Sequence, residues 1–584
     1  MTYFADLHCH PTGKTFQEHS TIKEKDFYQA EAHPWNIPES KRKHLGRGCR
    51  ATQYSQSDFA RLLKGNVKLV FAALYPLEQG ILNKIKNADC KIADFEPIIS
   101  DEEIMDIKDE MEYADIHNVI IEDDDDFNRA PGAPGILGPL ILGMPHKRIR
   151  YIRSERYDYW TEMMREYEFL KRKSGILSDR LIYFDYDDDA KVKSKEKETV
   201  KGTYYLLTRN REKENLSNKW GQQSYCPFSK IDSFIKKKDT VIVIPTIEGM
   251  NVLSMSNQAC PVSDDLLIER IKELKKMDPP IFFITLAHHF NNNICAHAHS
   301  LPKIALFNPD QTKNMNHMGE SPHNGINALG IAAIKEMLEI EEGEDGFLTD
   351  RAIKEWRIHV DVKHMSASAR LEYYEKIIRP YNNNLKNDGK KIPIIASHMG
   401  YSGRERLKEQ ILNYNSEENL SSTNGFNNWN INLCDEDVQE IVASEGLIGL
   451  TLDERILGQQ SKIGLGCKKP KNKEELIVLV ERTLKSILLA AKKINKHKYL
   501  KTEFTVWNTL CIGTDHDGYI DPIDDYPTVA EFPEFSKDLE KKLLEWSDTD
   551  RKEFGIDKDS ELKSALDKFF GENGYKFLKD HYGK

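Results

Sequence analysis

Eight short apolar runs rich in β-branched residues predict an α/β chain: a (β/α)8 TIM-type barrel with a large insertion between strands 2 and 3 and a helical C-terminal tail. Three observations carry this expectation. The runs are almost continuously apolar, as parallel strands covered on both faces must be. Amphipathic helical patterns lie between several of them. Ionisable residues follow the C-terminal ends of the runs, where such barrels hold their active sites.

The first strand, Tyr3–Leu7, leads into Asp6-Leu7-His8-Cys9-His10-Pro11. Alternate side chains of an extended chain share a face, so Asp6, His8 and His10 point the same way and two imidazoles can reach one cation. Lys68–Tyr75 is the second strand and Thr240–Pro245 the third, followed at once by Thr246, Ile247 and Glu248. Ile281–Leu286 is the fourth, followed by His288, and Arg357–Val362 the fifth, followed by His364. Ile392–Ala396 is the sixth, followed by His398. Leu447–Leu450 is the seventh, and Leu510–Gly513, followed by Asp515, the eighth. Between these, Ile326–Ile340 carries Ile326, Ile334, Met337 and Leu338 on one helical stripe, and Glu474–Ile494 is a long amphipathic helix. Asp435–Ser444 reads as a helix capped by Asp435, burying Val438, Ile441 and Val442 and ending at Gly446.

The barrel is expected over residues 1–525, with the insertion at about 82–236, and residues 526–584 form a helical extension packed on it. The insertion holds the acidic run Glu122–Asp126, the turn-rich Pro131–Gly135, a helix at Tyr157–Lys171 and a Lys/Glu-rich stretch at Lys191–Lys201. The acidic run lacks the glycine and spaced carboxylates of a calcium loop and reads as a solvated segment. In the tail, Leu562, Leu566, Phe569, Phe570, Tyr575 and Leu578 follow helical apolar spacing.

The 584 residues are 39% hydrophobic and 30% charged, with a net charge of −11. That balance argues against nucleic acid or an anionic membrane as partner, since both attract basic patches. No secretory leader and no apolar run long enough for a membrane span is evident, and the nine cysteines form no Cys-x-x-Cys pair, so a cytoplasmic protein is expected.

Four imidazoles and one carboxylate suffice for two divalent metal ions if the carboxylate bridges them. His8, His10 and Glu248 would hold one, and Glu248, His364 and His398 the other, with zinc suited first and manganese or iron as alternatives. Such a pair generates a bridging hydroxide near neutral pH. Asp515 is placed to shuttle a proton between the attacking water and the leaving group, and His288 to donate to a developing oxyanion. His297-Ala298-His299 reads as loop material, and Pro34 and Trp35 as either pocket mouth or packing.

The order of these motifs resembles the membrane dipeptidase (renal dipeptidase-like) family of the amidohydrolase superfamily. IPTIEGMN is similar to that family's Glu-Gly segment, which supplies the bridging glutamate, and ITLAHHFNNN to its Leu-Thr-His-Asn segment, making His288 substrate-facing. GINALG followed by VDVKHMS, then IIASHMGYSG, resemble the segments that make His364 and His398 ligands. CIGTDHDGY resembles the Gly-x-Asp-Phe-Asp-Gly segment that makes Asp515 the catalytic acid/base, and FGENGY the terminal Gly-Asn-Phe turn. The resemblance implies a metallopeptidase acting on a dipeptide or another small amide or ester, with a substrate-carboxylate arginine after the sixth strand; Arg404 and Arg406 are the candidates. Two positions depart from the family pattern: His10 stands where an aspartate is usual, and Lys363 replaces the serine before His364. Tyr519, just past Asp515, is a further substrate-contact candidate, and the insertion offers a surface for a cap or a homodimer.

Other readings of the same residues are a phosphoesterase of the polymerase-and-histidinol-phosphatase kind, which commonly binds three metals and would recruit His288, His289, His297 and His299, and a lactonase or deaminase. A barrel that keeps metals for stability alone is a fourth, though such a barrel has no use for a proton shuttle at Asp515.

Overall fold

The computed structural model describes residues 3–19, 34–35, 54–81, 144–154, 156–172, 176–186, 192–209, 215–218, 221–301, 325–343, 346–352, 355–384, 391–412, 426–458, 473–493, 505–520, 522–523 and 526–583. Among these, the barrel strands are Phe4–Cys9, Val67–Leu74, Thr240–Glu248, Phe283–Thr285, His359–Asp361, Ile395–Met399, Leu447–Leu450 and Leu510–Ile512, numbered first to eighth here. Every neighbouring pair is parallel. The ring closes because the first strand pairs with the eighth, Asp6 opposite Ile512, while the fourth lies between the third and the fifth. The expected barrel is the fold observed. Its strands are buried on both faces, which is why their sequences read as apolar runs rather than alternating ones.

Helices cover the outside. Asp264–Lys276 follows the third strand, Ala328–Leu338 the fourth, Ala367–Tyr373 the fifth, Asp435–Ala443 the sixth and Lys473–Lys492 the seventh. One expected cap is different. The residue preceding Asp435–Ala443 is Cys434, and the Asp437 carboxylate reaches back to its backbone N–H at 3.0 Å. Asp435 instead accepts from Tyr401 and, at 2.6 Å, from Lys493. A carboxylate one turn into the helix meets the same orphan donors as a residue at its start, so composition alone does not tell them apart.

The insertion is more strand than helix among the described residues. Its helix, Tyr159–Leu170, matches expectation closely. The Lys/Glu-rich stretch falls largely in a long strand, Val192–Thr208, which pairs antiparallel with Ile176–Tyr186. The far end of that strand joins the barrel: Thr203–Leu206 run parallel to Thr240–Val243 on the same edge of the third strand that holds the fourth at Ile247 and Glu248. The acidic run and the Pro131–Gly135 segment lie outside the described residues.

The tail packs under the first and eighth strands as Phe532–Leu544, Asp548–Glu553, Asp559–Asp567 and Asn573–His581. Phe570 meets Phe4 and Phe535 at ring-centroid distances of 5.4 and 5.6 Å, and Asn573 donates to the Trp507 and Leu510 carbonyls at 2.6 and 2.7 Å. Among the described residues no helix is long and apolar enough to cross a membrane. Truncating the fully buried Phe570 to alanine leaves a cavity against the first strand, so Phe570→Ala should lower unfolding stability by about 3–5 kcal/mol in urea titration.

Candidate active site

Every strand-end residue singled out for metal binding or catalysis reaches the C-terminal mouth of the barrel. Glu248 is the hub. Its Oε1 lies 3.4 Å from His8 Nε2, 3.4 Å from His364 Nε2, 3.3 Å from His398 Nε2 and 3.6 Å from His288 Nε2, and its Oε2 lies 3.2 Å from His10 Nε2. Asp515 stands beside this ring, 3.5 Å from His10 and 3.8 Å from both His8 and His398. The His8 and His398 rings stack at 3.9 Å.

The backbone is bent to achieve this convergence. His364 and Asp515 adopt left-handed φ values of 64° and 63°, a conformation that costs a non-glycine residue about 1–3 kcal/mol and is retained at functional sites. Directly after Glu248, Gly249 has φ 97°, and a Cβ there would lie 2.2 Å from Asn251 Oδ1 and 3.2 Å from His288 Cβ, so only glycine lets the chain turn so close to His288.

Buried carboxylates hold the imidazoles from behind. Ser397 Oγ donates its one proton to Asp361 at 2.6 Å, so at 2.8 Å it accepts from His398 Nδ1. That relay fixes the tautomer and leaves the His398 Nε2 lone pair facing the centre. Thr285 also donates to Asp361, at 2.7 Å. Asp6 does the equivalent work below His8: it accepts from the His8 N–H at 3.2 Å and from the Thr514 N–H and hydroxyl at 3.0 and 2.6 Å. Asp6 is therefore an anchor and stays out of the ring around Glu248.

Charge in the ring is unevenly shared. Burial opposes a charge on His10, but Asp515 and Glu248 outweigh it and raise the imidazole to about 10. Burial pushes His364 and His398 well below their ordinary value, helped by His288 in one case and by His8 in the other. Burial would raise Glu248, yet His288, His8 and the ring around it bring it well below the usual carboxylate range. Asp515 is raised, by burial first and then by the Glu248 charge.

These donors fit divalent cations. Fully buried His8 Nε2, His10 Nε2 and His398 Nε2 have no hydrogen-bond partner and converge on one carboxylate. The metal-capable groupings are His8, His10, Glu248 and Asp515; Glu248, His364 and His398; and His288, His289 and His364. Neutral imidazoles and a carboxylate are what a zinc-like ion requires.

Further side chains shape the site. Tyr519 packs against the small apolar cluster of Tyr75, Leu77, Met144, Ile149, Tyr157 and Phe290, where the insertion meets the barrel mouth, and the Lys14 ammonium lies 4.4 Å from its ring. Arg404 is half-buried and Arg406 is exposed, both on the loop after the sixth strand. His299 meets the Trp429 ring edge-on at 4.5 Å, and neither His297 nor His299 joins a metal-capable group among the described residues. Trp35 is packing rather than pocket mouth, buried beside Phe59 and Tyr204.

Two carboxylates escaped the sequence reading. Glu78, fully buried, lies 2.6 Å from His288 Nδ1 and accepts from the His289 and Phe290 N–H groups at 3.1 and 3.2 Å. Glu166, from the insertion helix, accepts from Thr12 Oγ1 and the Tyr75 N–H, both at 2.9 Å, tying the insertion to the loops beside His10 and His288. Glu78 stands four residues past the second strand, and that nearness to a strand end was the available signal.

No protein-family model matches the chain, and no curated protein matches it. Among solved structures it is similar to a metallopeptidase called dipeptidase AC, at 11% identity and a TM-score of 0.44 over 100% of both chains. It is also similar to a Rhodobacter sphaeroides metallopeptidase liganded with a phosphinate mimic of the dipeptide L-Ala-D-Ala, at 10% identity and a TM-score of 0.43 over 99% of each. The probable dipeptidase PvdM from Pseudomonas aeruginosa follows at 13% identity and 0.34, covering 88% of this chain and 90% of its own. Likenesses of this size add nothing to the strand pairing and side-chain geometry above.

Burial lowers His288, but Glu248 and Glu78 overcome it and hold the imidazole above its ordinary value. Glu78→Gln keeps the acceptor for the two N–H groups and removes one of these charges. The His288 ring should then titrate at lower pH, followed by NMR on the metal-free protein; an unchanged or raised titration would contradict the assignment.

Proposed function

We propose that this chain is a binuclear metal-dependent hydrolase of the amidohydrolase superfamily, akin to the membrane dipeptidases, and that it cleaves the amide bond of a small substrate. One observation carries the reading: a buried carboxylate, Glu248, encircled by His8, His10, His364 and His398 at 3.2–3.4 Å, with Asp515 alongside. His8, His10 and Glu248 would hold one cation and Glu248, His364 and His398 the second, zinc being the ion that suits these donors first. Bound there, the pair supplies Lewis acidity and makes water acidic enough to be a nucleophile near neutral pH.

The chain's own residues supply the rest. Asp515 takes the proton of the attacking water and returns it to the leaving nitrogen. His288, raised above its ordinary value by Glu248 and Glu78, donates from Nε2 to the carbonyl oxygen as negative charge develops there, while Nδ1 is held by Glu78. Tyr519 borders the substrate side beneath the insertion's apolar cluster. The two arginines after the sixth strand, half-buried Arg404 and exposed Arg406, are the candidates for a substrate carboxylate.

Elemental analysis should find about two metal ions per chain, and a dipeptide panel that includes D-residues at the second position should show turnover. Asp515→Asn should keep the metal and lose about a hundredfold or more of the rate. Absence of metal, or a wild type inert towards amides, esters and phosphates alike, would refute the proposal. Chelation should also lower the melting temperature, because the cations bind only the folded arrangement of histidines.

A further inference from the structure

Among the described residues the charge partners of the Asp515 carboxylate are imidazoles alone, His10 at 3.5 Å and His8 and His398 at 3.8 Å. Its aim therefore depends on the backbone that carries it, the turn Asp515–Tyr519. In that turn Asp515, Asp517 and Tyr519 all have left-handed φ values, 63°, 66° and 61°. Residues other than glycine keep such values only where the surrounding structure enforces them. Gly518 passes so close to the Asp515 side chain that a Cβ there would lie 2.1 Å from Oδ1. Its N–H closes the turn on the Asp515 carbonyl at 3.0 Å.

The enforcing contact is Asp517. Its side chain is 4% exposed and takes no part in the metal-capable groupings. It accepts from the Gln56 N–H at 3.0 Å, the Ser57 N–H at 2.8 Å, the Ser57 hydroxyl at 2.9 Å and the Ser55 hydroxyl at 3.3 Å. Gln56 Oε1 in turn accepts from the Asp517 N–H at 2.8 Å. The segment that supplies these donors is itself fixed. Asp58 caps the helix Phe59–Lys64, accepting from the Ala60 and Arg61 N–H groups at 3.1 Å, and the Gln56 carbonyl accepts from the Val529 N–H at 3.0 Å. Asp517 thus ties the loop after the eighth strand to a support that holds none of the histidines around Glu248.

We propose that Asp517 is a positioning residue for proton transfer: its clamp on Ser55–Ser57 holds the 515–519 turn so that Asp515 stays aimed at the leaving nitrogen. This rests on the hydrolase reading above. As the C–N bond breaks, the proton that Asp515 has taken from water passes to that nitrogen, and the transfer needs the two groups within hydrogen-bond reach. A carboxylate displaced by about 1 Å loses most of that advantage.

A crystal structure of zinc-loaded, full-length Asp517→Ala tests the clamp directly. The Asp515 carboxylate should leave its place beside His10 by about 1 Å or more, with Glu248 and its histidines unmoved. An Asp515 that keeps its position overturns the proposal. Kinetics separate aim from general damage, using two probes that share an acyl group, L-Ala-D-Ala and the p-nitrophenyl ester of L-alanine. The amide nitrogen must gain a proton to leave, whereas p-nitrophenolate leaves without one. Asp517→Ala should therefore lower kcat on the dipeptide by about tenfold to a hundredfold, with KM and zinc content close to wild type, and slow the ester by about threefold at most. Equal losses on the two probes would mean a merely structural role and overturn the proposal. If the alanine variant fails to fold, the double variant Ser55→Ala/Ser57→Ala removes both hydroxyls of the clamp and keeps Asp517. It should show the same amide-selective loss on a smaller scale, and an unselective loss or none overturns the proposal. A wild type inert towards amides, esters and phosphates refutes the hydrolase reading, and the crystal comparison still decides the clamp.

Discussion

The arrangement depends on one electrostatic constraint: the Glu248 carboxylate is buried at the barrel mouth and must be matched by positive charge. An isolated carboxylate there would be strongly disfavoured. Five imidazoles meet the requirement, delivered by four stretches of chain, and their own burial limits how many can be protonated together. The result is a ring in which His10 holds charge and His364 and His398 are kept neutral. Metal binding to donors of this kind releases protons.

The barrel supplies the rigidity this balance needs. Asp6 and Asp361 act as a matched pair of anchors. Each accepts from the N–H two residues onward and from a hydroxyl across the sheet, Thr514 just past the eighth strand in one case and Ser397 in the sixth strand in the other. These bonds lock strand register immediately below the ring, so the aim of His8 and His398 follows from backbone pairing rather than from side-chain flexibility. Register across the third, fourth and fifth strands places Glu248, Thr285 and Asp361 in one row, so the hub and its support share a single rung of the sheet.

The insertion completes the site from one side. Its helix reaches the loops beside His10 and His288 through Glu166, and its apolar residues make a second core with Tyr75, Leu77 and Phe290. Such a cover lowers the local dielectric and strengthens every charge interaction beneath it.

The sequence by itself determined the barrel, because eight apolar runs ending in polar residues have few other ways to bury both faces of a parallel sheet. It also singled out His8, His10, Glu248, His288, His364, His398 and Asp515, since each stands within a few residues of a strand end. Tertiary structure decided what periodicity cannot encode. Glu78 and His288 are far apart in the chain, and nothing local marks them as a pair. Asp6 has the same strand phase as His8 but is taken by Thr514, a partner from the opposite end of the chain. The strand Val192–Thr208 forms in charged sequence because the lower half of the third strand leaves an edge unpaired where it departs from the fourth. Strand ends are local properties of sequence; charge partners belong to the assembled fold.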